Sequence, residues 1–294
     1  MKWRMSSRGP NGPCLIGLLA IGMLLNGGCG GGFPPKGLQS AAVDCCNVAV
    51  RKKLIYTNPA IGLVHGIFQA EETGEFAVIG GQGSCMLSLS GNIVAREGDP
   101  DKLGIIPPVT QIGSFITDGY IQADFDNNGK LERVSPVASV GFKLEKASGE
   151  EVARTQIDVD HWFEPKATWS QPHFLLVSTD GMLLVFDDQL RRVRNLPLPG
   201  IKAPLHIEGG APLGRKGSVP FVSVFGGRGG WHRSILFIHS PDEHVIYKEI
   251  LADDFKAVWP LPEEDGKYRF LLGGRGQVWE YSFTLGSMDA LTQK

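Results

Sequence analysis

A β-propeller, an all-β ring of repeated four-stranded sheets, is the fold class this sequence predicts. Three observations carry that reading. One loop, Asp124 to Glu132, has the oxygen spacing of a cation site. The segment around it recurs along the chain with worn landmarks, at the interval of one propeller blade. Short apolar or alternating runs punctuated by Gly, Asp and Asn dominate, and no long stretch has helical period.

Along the chain, the N-terminus comes first. Lys2, Arg4 and Arg8 form a basic start, and Leu15 to Leu25 is an uncharged apolar run. The run is too short to span a bilayer and reads as a signal-peptide core, so 1–28 is predicted to be a leader. Leu25-Asn26-Gly27-Gly28-Cys29 follows, which resembles the lipobox of bacterial lipoproteins, with Asn26 where that box usually carries leucine. The resemblance implies cleavage before Cys29, lipid on its thiol and a place at the bacterial cell envelope; plain secretion with cleavage nearby is the other reading. Residues 29–43, opening Gly30-Gly31-Gly32-Phe33-Pro34-Pro35, read as a flexible tether. Residues 44–294 are then one propeller domain whose only membrane contact is the lipid anchor. A net charge of −2 argues against nucleic acid as a partner.

Beyond Cys14 and Cys29, the cysteines are Cys45, Cys46 and Cys85, an odd number. In an oxidising compartment, one of the adjacent pair is expected to bond Cys85 and leave one free thiol.

The repeat appears when segments are laid under one another. The first unit starts at Gly66 and runs through Gln69-Ala70-Glu71, Gly74 and Ser90-Gly91 to Ile93-Val94-Ala95-Arg96. The second has Gln122-Ala123-Asp124, Gly129, Ser148-Gly149 and Val152-Ala153-Arg154. Three worn units follow, with turns near Pro172, Gly217 and Gly266. The five turn positions lie 43 to 55 residues apart, close to the size of a four-stranded blade. The last unit ends after its third strand, near Phe283. A strand-like segment, Val48 to Tyr56, precedes the first unit and is predicted to supply the missing outer strand, hiding sheet edges. Five blades result; six is the alternative, with the N-terminal segment and insertions forming an irregular extra blade.

Asp124-Phe125-Asp126-Asn127-Asn128-Gly129-Lys130-Leu131-Glu132 places oxygens at positions one, three, five and nine and glycine at six. Asp124, Asp126 and Asn128 alternate so that their oxygens converge, and the Lys130 carbonyl and Glu132 carboxylate complete a shell for one calcium ion. An Asn-Gly hairpin flanked by solvated acids is the plainer reading, but it does not require the ninth-position acid. Ser135 stands at position twelve, so this is not an EF-hand. The loop and the apolar Val134 after it resemble the repeat of FG-GAP and VCBS proteins. That resemblance implies a propeller with one ion site here, since Gln69, Glu71, Thr73 and Ala77 replace the ligands in the first unit.

A second constellation is the repeated turn Gly80-Gly81-Gln82-Gly83, Gly226-Gly227-Arg228-Gly229 and Gly273-Gly274-Arg275-Gly276, each between the second and third strands. Gln82, Arg228 and Arg275, with Trp231 nearby, are expected on the face opposite the ion loop, where guanidinium groups suit carboxylate, sulfate or phosphate. The competing reading gives the glycines to positive φ and the arginines to solvent. His239 and His244 flank Ser240-Pro241-Asp242-Glu243 and read as an exposed turn. Trp162, Trp169, Trp231, Trp259 and Trp279 read as blade packing rather than a carbohydrate platform, with exposure of Trp231 beside Arg228 as the alternative. Neither a Walker loop, a Rossmann fingerprint, H-E-x-x-H nor G-x-S-x-G is present.

The function this predicts is a non-catalytic, calcium-stabilised binding or assembly module with a protein or glycan ligand. The alternative is a polysaccharide lyase or glycosidase on the same scaffold, which needs two carboxylates across a pocket. A quinone-dependent dehydrogenase fits less well, because its tryptophan docking repeats are not seen.

Overall fold

In the computed structural model, the residues described are 41–42, 48–70, 73–89, 94–105, 119–126, 128–137, 141–158, 162, 165–168, 173–202, 204–214, 218–226 and 233–286. The chain opens with β1 (Ala41–Ala42) and β2 (Arg51–Thr57). Blade I is β3 (Val64–Gln69), β4 (Phe76–Gly80), β5 (Ser84–Ser88) and β6 (Val94–Gly98), followed by one helical turn, α1 (Pro100–Leu103). Blade II is β7 (Ile121–Ala123), β8 (Glu132–Val137), β9 (Gly141–Glu145) and β10 (Glu151–Gln156). Blade III is β11 (Lys166–Ala167), β12 (Leu175–Thr179), β13 (Met182–Phe186) and β14 (Arg192–Pro197). Blade IV is β15 (His206–Pro212), β16 (Phe221–Gly226), β17 (Ser234–His239) and β18 (Val245–Ile250). Blade V is β19 (Phe255–Glu264), β20 (Lys267–Gly274) and β21 (Gln277–Thr284).

Each sheet is antiparallel, and the fifth has the order β19-β20-β21-β2. Arg51 lies opposite Ser282, and Thr57 opposite Gln277. The N-terminal segment therefore supplies the outer strand of the last blade, and the fold is a five-bladed β-propeller, as the repeat predicts. Within the stretch read as a tether, Ala41 and Ala42 pair with Ile250 and Glu249 and add a short fifth strand to blade IV.

Strand periodicity explains why the central strands are continuously apolar. Successive side chains point to opposite faces, and here both faces are covered. Leu175 and Val177 pack with blade II, whereas Leu176 between them packs with blade IV. Likewise Phe270 and Leu272 face blade IV, and Leu271 faces blade I. Blade I turns Phe68, Ala77 and Met86 the other way, under Leu103 of α1 and Ile105. The outer strand β10 is partly solvated instead and alternates accordingly. Local turn chemistry agrees. Asp265-Gly266 joins β19 to β20 with φ of 52° and 72°, the paired positive values a two-residue primed turn requires.

Two expectations are corrected. Cys85 is a free thiol, fully buried on β5 against the interface with blade V. Burial pushes it up to about 12, so it is an inert core residue. Cys45 and Cys46 lie outside the described residues. His239 is not in an exposed turn. It ends β17 fully buried, with Nε2 2.8 Å from the Pro197 carbonyl oxygen; the turn after it is formed by Ser240 to Glu243. Trp162 does pack, edge-on to Phe142 at 5.2 Å.

His173 and His239 are both held near 4, chiefly by burial. Their folded pKa lies below the unfolded value of about 6.5, so the unfolded chain binds more protons in between. Stability is then fully present above about pH 6.5 and falls as pH drops toward about 4, by about 2 kcal/mol per histidine at about pH 5. Urea unfolding at about pH 7 and about pH 5 checks this, and His239→Gln should flatten the dependence. Equal stability at the two pH values would contradict it.

Candidate functional site

The loop expected to hold an ion is the turn between β7 and β8, and its local hydrogen bonds explain its shape. Asp124 Oδ1 accepts from the Asn128 N–H at 2.9 Å, and Oδ2 accepts from the Gly129 N–H at 2.9 Å. Asp126 Oδ1 accepts from the same Asn128 N–H at 3.1 Å. Glu132 reaches back, with Oε2 accepting from the Phe125 N–H at 2.9 Å. Gly129 sits at φ 81°, the left-handed conformation that glycine supplies for this turn.

The structure brings Asp124, Asp126 and Glu132 together: one carboxylate oxygen of each lies within 4.8 Å of the others. Asp124 and Glu132 are buried, and Asp126 is exposed. Burial, then the field of Asp126 and Asp124, pushes the Glu132 carboxyl above its ordinary range. Asn128 is nearby but otherwise engaged. Its Oδ1 accepts from the Lys130 N–H at 2.9 Å, and its amide nitrogen donates to Asp126 Oδ2 at 2.7 Å. Its amide orientation must reverse if its oxygen is to turn toward an ion beside Asp126.

One acid was missed from sequence. Asp188, in the turn between β13 and β14 of the next blade, lines the same pocket of about 370 Å³ as Asp126, Glu132 and Lys146. Burial raises its carboxyl, and Asp187 and Asp126 raise it further. The available signal was topological: turns between first and second strands and between third and fourth strands emerge at the same end of a blade.

At the opposite strand ends, Gln82 occupies the turn from β4 to β5, and Arg275 the turn from β20 to β21. Segment 58–63 stitches these turns together. Leu63 bridges to Arg275, and its carbonyl accepts from the Gly81 N–H at 3.0 Å; the Gln82 N–H donates to the Ile61 carbonyl at 2.9 Å. Arg275 is not a free cation, since it faces Asp254 at 3.2 Å and Asp253 at 3.6 Å. Arg228, Trp231 and Cys29 lie outside the described residues.

The repeated glycines have a different cause from the one expected. Among the described members of the motif, only Gly276 has positive φ, at 60°. Gly80, Gly226, Gly273 and Gly274 are glycine because neighbours approach closely. A Cβ on Gly80 would stand 2.1 Å from the Ile61 carbonyl oxygen, on Gly226 2.6 Å from Glu208 Oε1, and on Gly274 2.6 Å from the Phe255 ring.

No family model matches the chain, and no curated protein matches it. Among solved structures, it is similar to BBS1N in complex with ARL6DN, soaked with lead: 16% identity and TM-score 0.34 over 59% of this chain and 52% of that one. The mercury-soaked crystal of that complex gives 15% and 0.34 over 61% of this chain and 60% of that one. Kluyveromyces lactis Hsv2 gives 10% and 0.27 over 74% and 62%. This chain thus spans between 52% and 62% of the length of these neighbours. Likeness at these values carries no argument, and the propeller stands on the strand order and pairing described above.

Proposed function

We propose that this chain is an exported β-propeller, stabilised by one calcium ion and anchored to the bacterial cell envelope through lipid on Cys29. It acts there as a non-catalytic binding or assembly module for a protein or glycan ligand. The observation that carries the ion is the convergence of Asp124, Asp126 and Glu132 within 4.8 Å. Three carboxylates so placed repel one another unless a cation lies between them, and an all-oxygen donor set suits a hard one. The Lys130 carbonyl, and Asn128 after an amide flip, complete the donors. This reading extends the resemblance of residues 124–132 to FG-GAP and VCBS loops. The ion's role is to hold the β7–β8 turn, and with it the edge of blade II.

Calcium added to chelator-stripped protein should raise Tm, by the equivalent of about 2.7 kcal/mol at a hundredfold excess over Kd. Asp126→Ala should abolish that shift and make the protein insensitive to chelator. Absence of a calcium-dependent shift in wild type would refute the ion. Separately, Cys29→Ser should release the protein from the membrane fraction, and a mature N-terminus downstream of Cys29 would refute the anchor.

A further inference from the structure

The first strands of blades I, IV and V share an irregularity that the repeat alone does not reveal. In β3, Val64 pairs with Gly80 and Gly66 with Ile79, leaving His65 as an extra residue. In β15, Ile207 pairs with Phe225 and Gly209 with Val224, leaving Glu208. In β19, Phe255 pairs with Gly274 and Ala257 with Gly273, leaving Lys256. Three innermost strands thus carry a β-bulge at the same height, one or two residues past the strand start, beside the second-to-third-strand turns. Each extra residue has an ionisable side chain. Bulges re-aim side chains and recur beside binding sites.

The glycine motif makes room for them. Gly80 and Gly274 pair with the residues just before the bulges in β3 and β19, and Gly226 leaves space for the Glu208 carboxylate. Gly209 brings β15 against β19, since a Cβ there would stand 2.7 Å from the Lys256 carbonyl oxygen.

Two of the bulge residues meet, Glu208 and Lys256. Glu208, with only 8% of its side chain exposed, lies 3.3 Å from Lys256 Nζ and 3.6 Å from His206 Nε2. His65 is exposed on β3, but partial desolvation of its ring pushes it below its ordinary range; a hydrogen bond to the Leu63 backbone opposes this, and Lys256 and Lys166 add to it. Lys166 is on β11, the innermost strand of blade III, so cations from blades III and V act on one imidazole from blade I. Asp253 and Asp254, just before β19, are taken by Arg275. Lys166 is half-buried and has no carboxylate within ion-pair distance among the described residues.

We propose that His65, Glu208 and Lys256, with Lys166 and His206, form a binding site for a small carboxylate at the mouth of the propeller's central channel. Lys166 and Lys256 supply charge-assisted hydrogen bonds to its two oxygens. Glu208 fixes Lys256 in place, and His65, whose ring is hydrogen-bonded to the Leu63 backbone, borders the site as its reporter. Two lysines in the shell exclude a metal cation as the occupant. The site lies at the opposite strand ends from the ion loop and does not depend on that loop binding calcium.

The test uses the full chain in chelator, with sodium acetate and sodium glucuronate as probes and the His65 ring resonances as the readout. Saturable shifts are expected. Lys256→Met and Lys166→Met should each weaken binding at least about tenfold. Lys102→Met, on exposed α1, should leave it unchanged. Lys166→Met loses no ion pair among the described residues, so it carries the test should Lys256→Met fold poorly. Absence of saturable shifts with either probe, or equal affinity in Lys166→Met and wild type, would overturn the proposal. Binding of inorganic phosphate without either carboxylate would overturn the ligand assignment.

Discussion

Lys52→Met should lower the unfolding free energy of the propeller by about 3 kcal/mol. Lys52 lies on β2, the strand that closes the ring, and its Nζ is 2.5 Å from Glu249 Oε1 on β18 of blade IV. Glu249 is fully buried and receives two further hydrogen bonds, from Tyr247 at 2.8 Å and Tyr281 at 3.3 Å. Removing the ammonium leaves a desolvated carboxylate held only by neutral phenols, which costs far more than losing an exposed pair. The cost falls on ring closure, because the pair joins the N-terminal strand to the neighbouring blade. In Lys52→Met/Glu249→Gln the buried charge is gone while an acceptor for the tyrosines remains, so part of the loss should be recovered. Urea denaturation of the three proteins measures this. A single variant within about 0.5 kcal/mol of wild type would show that the pair behaves as a surface contact.

Gly80→Ala should cost about 2–3 kcal/mol, whereas Gly81→Ala, one residue on, should cost less than about 0.5 kcal/mol. The new methyl at position 80 would stand 2.1 Å from the Ile61 carbonyl oxygen, which already accepts from the Gln82 N–H at 2.9 Å. That carbonyl is backbone and cannot swing aside like a side-chain tip. It must shift as part of segment 58–63, which is tied to blade V where the Gly276 N–H donates to the Gly62 carbonyl at 2.7 Å. At position 81 the nearest atom is 4.0 Å away. Thermal or urea unfolding of both variants separates close approach from a generic loss of glycine flexibility. Equal effects at the two positions would favour the latter.

These two cases mark the division between what the sequence carries and what folding adds. Blade number, the strands of each unit and the transfer of the N-terminal strand to the last blade are all legible in the chain. They depend on local features: turn residues at regular intervals, apolar runs between them and an incomplete last unit. The ion loop is legible for the same reason, since all its proposed ligands fall within nine residues of each other and one turn brings them together. Other features were settled only by the tertiary structure. Cys85 and His239 are buried because of which blade face each strand presents to its neighbour, and turn-like flanking residues do not reveal that. Asp188 joins the ion loop's pocket from the next blade. Arg275 is neutralised by acids some twenty residues upstream. At Gly80, Gly226 and Gly274 the glycine motif is a matter of clearance rather than of φ, and the bulge residues beside it, His65, Glu208 and Lys256, are far apart in sequence. The physical reason is common to all of these. Hydrogen-bonded turns and strand alternation are properties of a few consecutive residues, whereas burial, ion pairing and close approach depend on which segments the closed ring sets side by side.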